Sequence, residues 1–216
     1  LQSIHIDIVS DIACPWCAIG YARLEQAMAQ LSADYLFTLH WRAFELRPEY
    51  RGQGELILPA LAQKYGRSEQ EMHQMQAHLQ TLAQSLGINF NKIHARPICN
   101  TFDAHRLVKW AAEQGWQTAL TQALFNAYFG QAKDVSQPEV LLDCVSEVGL
   151  AVAPARTVLA NNDYGAVVRE EQAYYQQLGI SSVPAFIIND QHLLTGAQEP
   201  AAWLDAIAEL SPLART

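Results

Sequence analysis

Two cysteines, Cys14 and Cys17, are separated only by Pro15 and Trp16. If both thiols occupy the first turn of a helix, they can close a small disulfide. The first of them then meets the positive end of the helix dipole and its unpaired N–H groups. That placement favours a thiolate, the nucleophile of disulfide exchange, and thiols so placed titrate between ~3.5 and ~7.5 against ~8.5 for a free cysteine. Cys14, at the helix start and the more exposed of the two, is the expected attacking sulfur. Cys17, one turn inward, would resolve the mixed disulfide. A stabilised thiolate also leaves well, which suits oxidation or isomerisation. The competing use of such a pair is half a zinc site, which needs two further ligands. Cys99 and Cys144 are isolated and His73 and His78 are five apart, so no metal is expected.

The elements around the pair follow from periodicity. Ile4–Val9 alternates with β-branched residues and reads as a buried strand. Leu24, Ala27, Met28 and Leu31 then repeat at helical spacing, so the dicysteine opens an amphipathic helix, and Pro15 suits its first turn. A second strand is predicted over Leu36–Phe44, and from about Leu56 to Leu178 the pattern is helical. Ser68 and Glu71 have capping-box spacing with Gly87 as a stop, and Ser136 and Glu139 repeat that spacing for a helix ending at Gly149. Asn100-Thr101 precedes a helix ending near Gly115, and another runs from Gln117 toward Gly130. Shorter helices are predicted over Ala153–Ala160 and Asp163–Leu178. Strands return at Ala185–Ile188 and His192–Leu194, joined by a turn at Asn189-Asp190, and Pro200, Trp203, Ile207 and Leu210 mark a final helix. Met72, Met75, Leu79 and Leu82 form a stripe that reads as core, with a helix–helix dimer contact as the alternative. Cys144 shares a helical face with Leu141 and Val148 and reads as a packing thiol. Cys99 is left between packing and a second redox role.

Composition bounds the function classes. The chain has 216 residues, half of them apolar and 17% charged, enough to bury a full core and too apolar for disorder. No apolar run approaches the ~18 residues of a membrane span. With 14 Lys+Arg against 22 Asp+Glu, the net charge is −8, which argues against nucleic acid as a partner. Four cysteines are too few for a secreted disulfide scaffold.

A strand followed by Cys-Pro-Trp-Cys at a helix start, with Val183-Pro184 before a late hairpin, resembles the thioredoxin superfamily. The long helical block between them resembles its DsbA branch. Three motifs are closer still to the FrnE-like dithiol-disulfide isomerases, relatives of kappa-class glutathione transferases and 2-hydroxychromene-2-carboxylate isomerases. They are Ser10-Asp11-Ile12-Ala13-Cys14-Pro15-Trp16-Cys17, Asn100-Thr101-Phe102-Asp103-Ala104-His105-Arg106-Leu107 and Gly179-Ile180-Ser181-Ser182-Val183-Pro184. The resemblance implies an α/β thioredoxin-like domain of residues 1–50 and 160–216, interrupted by a helical domain of residues 51–159.

It also implies the site. Pro184 matches the family's cis-proline, which lies against the disulfide, and Val183 before it offers backbone groups to an extended substrate. A trans Pro184 that merely begins a strand is the alternative. Asn100 and His105 either line the substrate groove or serve as a helix cap and a packed polar side chain. The buried acid that many superfamily members carry six residues before the first cysteine is Ile8 here. Asp11, on the loop into the site, is the candidate replacement for it, or else a solvated turn residue. Pro15 and Trp16 support the site, and Trp16 stands where the strongest oxidants often have His. Gly196-Ala197-Gln198 matches the loop that holds glutathione in the relatives, without their polar pair.

The expected activity is thiol–disulfide oxidoreduction or isomerisation on protein or peptide substrates, without metal or organic cofactor. A recycling redox partner or glutathione restores the pair. A glutathione-dependent isomerase or transferase is the second expectation, and a non-catalytic peptide-binding module the third. The resemblance, with no signal segment read in the sequence, points to a bacterial cytoplasm, although a removed leader stays open. No membrane partner is expected, and the assembly is either a monomer or a homodimer.

Overall fold

A computed structural model describes residues 1–210; residues 211–216, the end of the segment expected over 160–216, lie outside the described residues. Strand β1 (Gln2–Ser10) is inside a four-stranded sheet of order β2-β1-β3-β4. Strand β2 (Tyr35–Ala43) runs parallel to it with Ile6 opposite Leu39, one residue earlier than the sequence predicts. Parallel pairing needs a crossover, and helix α1 (Pro15–Leu31), which the cysteine pair opens, supplies it. Strands β3 (Ala185–Ile188) and β4 (His192–Thr195) close the sheet antiparallel. Asn189 and Asp190 both take positive φ, as a primed hairpin turn requires.

The alternation in β1 decides what each face meets. Ile4, Ile6 and Ile8 are fully buried in the main core, together with both cysteines of the pair. Asp7 and Val9 point to the other face, where Val9 packs with Tyr175, Ile180 and Ala185. Between β2 and β3 the chain is helical: α2 (Ile57–Tyr65), α3 (Glu69–Ser85), α4 (Phe102–Ala112), α5 (Gln117–Phe125), α6 (Pro138–Glu147), α7 (Val152–Asn161) and α8 (Gly165–Gln177). Helix α9 (Pro200–Leu210) returns to the sheet and sets Trp203 edge-on against Phe186, ring centroids 4.8 Å apart. This is the expected α/β thioredoxin-like fold with a helical insertion. No described helix is long and apolar enough to cross a membrane.

Two local expectations are corrected. The Ser68/Glu71 capping box forms with both reciprocal bonds, but Ser136/Glu139 does not make one. Asp134 takes the Ser136 N–H and hydroxyl, at 2.9 and 2.6 Å, so the N-cap of α6 falls one residue later, at Gln137, with Pro138 in the first turn. Glu139 instead pairs with Arg156 at 2.8 Å. The helix predicted from Gln117 to Gly130 is regular only to Phe125, then widens into a π-helical stretch over Asn126–Gly130.

Candidate active site

Cys14 is the N-cap residue of α1, in extended conformation, and Pro15 occupies the first turn. Its N–H donates to the Asp11 carbonyl at 3.0 Å, and its carbonyl receives the Cys17 N–H at 3.1 Å. No side chain caps the helix and no acid lies in its first turn, so the N–H groups that start α1 are left free beside Cys14. Both thiols are free. Cys14 keeps 5% of its surface exposed and Cys17 none, in the order the sequence predicts. Burial pushes the Cys17 thiol far up, reinforced by the hydrogen bond and charge of Cys14, against weaker opposition from Ser10 and the Asp11 backbone. The Cys17 thiol is therefore held protonated.

The Val183–Pro184 peptide bond is cis, and the Val183 carbonyl lies 3.7 Å from the Cys14 sulfur, which donates to it. The Pro184 carbonyl receives the Gly196 N–H at 2.8 Å, fixing the loop to the end of β4. Close approach of this loop to α1 depends on Gly20. A Cβ there would stand 3.2 Å from both Pro184 Cγ and the Phe186 ring. Gly196-Ala197-Gln198 packs on the same helix, since the buried Arg23 donates to the Ala197 carbonyl and pairs with Glu199. Trp16 is 43% exposed at the mouth of the site.

Asp11 is no solvated turn residue. It is 1% exposed, and its carboxylate accepts from Thr101 Oγ1 at 2.7 Å, the Leu46 N–H at 2.7 Å and the Ala13 N–H at 3.3 Å. His105 Nε2 lies 3.4 Å from the same carboxylate and 2.9 Å from the Phe44 carbonyl. Asp11 thus ties the loop before Cys14 to the start of α4 and to the segment after β2. Ile8 lies in the core beneath the pair, and Asp7 lies on the opposite sheet face. There burial would raise its carboxyl, but hydrogen bonds from Arg42 and Tyr175 and the Arg42 charge hold it below its ordinary value.

A cavity of about 640 Å³ opens beside Cys14 between α1, the segment after β2 and helices α2 and α3. Neither Asn100 nor His105 lines it; Asn100 instead borders a separate cleft with Tyr50, Phe102 and Arg169. Asn100 Oδ1 caps the Phe102 N–H at 3.0 Å, and its amide reaches Glu45 Oε1 at 3.1 Å and the Arg47 carbonyl at 3.5 Å. It holds the backbone carbonyls of Arg47 and Pro48, and Arg47 does line the cavity. His105 is buried in the Asp11 network. The Met72/Met75/Leu79 stripe forms one wall, with Met75 46% exposed, so that face of α3 serves the cavity as well as the core.

Several cavity residues lie outside the sequence expectations: Arg96, Gln76, Tyr128 and Arg47. Cys99 also faces this space, but burial, assisted by the Asp11 charge, drives its thiol well above the ordinary value. Cys144 lies elsewhere, with its thiol pushed up to about 12 by burial. Among the described residues the one cluster with metal-ligand character is His5, Asp7 and His40. It lies away from the cysteines, and Arg42 already occupies the Asp7 oxygen at 2.8 Å.

The DSBA-like thioredoxin domain family matches residues 5–208 of the chain. The chain is 26% identical to the uncharacterized protein YwbO of Bacillus subtilis (strain 168) over 209 residues, covering 96% of this chain and 98% of that one. A probable DsbA oxidoreductase from Streptomyces coelicolor superposes with a TM-score of 0.88 at 31% identity, over 95% of this chain and 89% of that one. The fold also matches the cytosolic disulfide reductase DsbM from Pseudomonas aeruginosa with GSH, with a TM-score of 0.67 at 17% identity, over 97% of this chain and 100% of that one.

Proposed function

The chain belongs to the DSBA-like thioredoxin domain family, and from that premise we propose that it is a thiol–disulfide oxidoreductase whose redox pair is Cys14 and Cys17. The carrying observation is the arrangement at the start of α1: Cys14 at the N-cap opening on the cavity, Cys17 fully buried one turn behind. The Cys14 thiolate attacks one sulfur of a substrate disulfide. A Cys14–substrate bond forms as the substrate's own S–S bond breaks, and the departing thiolate takes a proton. Cys17 then gives up its proton and attacks the Cys14 sulfur; the Cys14–Cys17 disulfide forms and the second substrate thiolate leaves with that proton. Two electrons pass to the substrate, and the reverse sequence oxidises a dithiol.

Residues around the pair divide the remaining work. The Val183 carbonyl orients the Cys14 sulfur, and Pro184 shields it from one side. Trp16 and Met75 offer apolar surface at the cavity mouth. The reaction needs no metal or organic cofactor; a thiol pool, glutathione or a partner redox protein returns the pair to its starting state. The compartment in this reading is the bacterial cytoplasm, which the likeness to a cytosolic disulfide reductase supports. Replacing Cys17 with Ser should block turnover in insulin reduction or RNase reactivation and trap substrate on Cys14. Full activity in that variant would overturn the dithiol mechanism and favour a single-thiol, glutathione-dependent isomerase or transferase.

A further inference from the structure

Arg96 lies 97% out of solvent in the wall of the redox cavity, with no carboxylate paired to it among the described residues. One terminal nitrogen donates to Gln76 Oε1 at 2.6 Å and to the Ile93 carbonyl. The guanidinium also faces the rings of Tyr128 and Phe129, at 5.5 and 5.2 Å from their centroids. Its Nε is buried without any partner. A desolvated guanidinium without a counter-ion is costly, and an unsatisfied buried N–H adds to the cost. Arg96 and Cys14 line the same cavity, together with Cys99 and Tyr128.

The charge of the whole cavity points the same way. In a chain of net charge −8, the residues lining this space include Arg47, Lys64 and Arg96 and not one Asp or Glu. A volume of about 640 Å³ suits a small molecule. A planar guanidinium with free donors matches a carboxylate's two oxygens. We propose that Arg96 is the anion-recognition residue of this cavity, so that the favoured partners of Cys14 are small thiols and disulfides carrying a carboxylate near the sulfur. This rests on the oxidoreductase reading and specifies its substrate class. In the step concerned, the Cys14–Cys17 dithiol is oxidised to its disulfide and the two halves of the carboxylate disulfide leave as thiols.

The test compares three disulfides of similar size and opposite charge with the reduced full chain: dithiodipropionate, bis(hydroxyethyl) disulfide and cystamine. A free thiolate attacks the anionic member most slowly, because like charges repel. Here kcat/KM for dithiodipropionate should exceed that for the neutral disulfide by on the order of tenfold, as one charge-assisted contact allows. That ratio should collapse in Arg96→Met and partly survive in Arg96→Lys. A ratio unchanged in Arg96→Met, or cystamine preferred by the unmodified chain, would overturn the inference. If Arg96→Met does not fold, Arg96→Lys carries the comparison, and a ratio there equal to that of the unmodified chain would overturn the inference. Exchange with none of the three would instead overturn the oxidoreductase reading, and this inference with it.

Discussion

The Cys14 sulfur donates to the Val183 carbonyl at 3.7 Å, joining residues 169 apart in the chain. The contact brings the first loop of the fold onto the loop before β3, with the whole helical segment between them in sequence. Neither residue acquires its chemical setting from its neighbours in the chain. Cys14 needs the helix end behind it, and the Val183 carbonyl needs the sheet to deliver it.

Alkylation of the reduced chain should discriminate sharply among the four thiols. Cys17 is fully buried with its thiol pushed far up, and burial raises Cys99 and Cys144 as well. Since the thiolate is the reacting species, iodoacetamide near neutral pH should give one adduct, at Cys14. Peptide mass mapping checks this. Modification of Cys99 in the folded chain at a comparable rate would contradict the burial argument, whereas denaturation should expose all four.

Gly20 sets the distance between α1 and the Pro184 loop. An alanine in the middle of a helix ordinarily stabilises it by about 1 kcal/mol relative to glycine, but here a Cβ meets Pro184 and Phe186 at 3.2 Å. A valine adds two further carbons at that contact, and overpacking of this kind costs about 1–3 kcal/mol. Gly20→Val should lower stability in urea unfolding by that amount. It should also slow disulfide exchange more than the unfolded fraction explains, because the displaced atoms belong to the site.

The legible parts of the site were those written locally. The Cys-Pro-Trp-Cys run after a strand carries its own position on a helix N-terminus, and the alternation of Ile4, Ile6 and Ile8 already turns Asp7 to the far face. Asn100 and His105 sit in a motif, but the motif does not say which side of the α4 start faces Cys14; the fold turns both to the segment after β2. Ser136 and Glu139 have the spacing of a capping box, yet Asp134 competes for the serine and Arg156 for the glutamate. Arg96 was the least legible. Its setting is assembled from Gln76 of α3 and Tyr128 of the π-helical stretch, and an isolated arginine reads by default as surface. A polar Gln76 among the apolar positions of the α3 stripe was the one hint available.

Asp11 should prove structural and functional at once. Removing its carboxylate in Asp11→Ala strands the Leu46 N–H and Thr101 hydroxyl, both 2.7 Å from it, inside the protein. Each unsatisfied buried group costs about 1–3 kcal/mol, so a loss of roughly 2–6 kcal/mol is expected by urea unfolding. Leu46 and Arg47 line the cavity, so in the fraction that stays folded KM should rise more than kcat falls. A variant with unchanged stability would show that the carboxylate is not the tie between these segments.

Asp7 offers the contrasting case of a buried carboxylate far from the chemistry. Burial alone would raise its carboxyl, and the Arg42 and Tyr175 hydrogen bonds with the Arg42 charge reverse the sign and hold it low. A folded value below the unfolded one of ~3.9 means the stabilisation is complete above that pH and lost as pH falls through the folded value. The unmodified chain should therefore lose stability steeply below about pH 4. In Asp7→Asn this part of the acid slope should flatten. At neutral pH the variant should be less stable by about 2 kcal/mol, the scale of a charge-assisted hydrogen bond. Urea unfolding of both chains across the acid range measures the slope. Disulfide exchange should be unaffected in Asp7→Asn, since the far sheet face separates the residue from Cys14. An equal acid slope in the two chains would show that Asp7 is not the group whose protonation drives the transition.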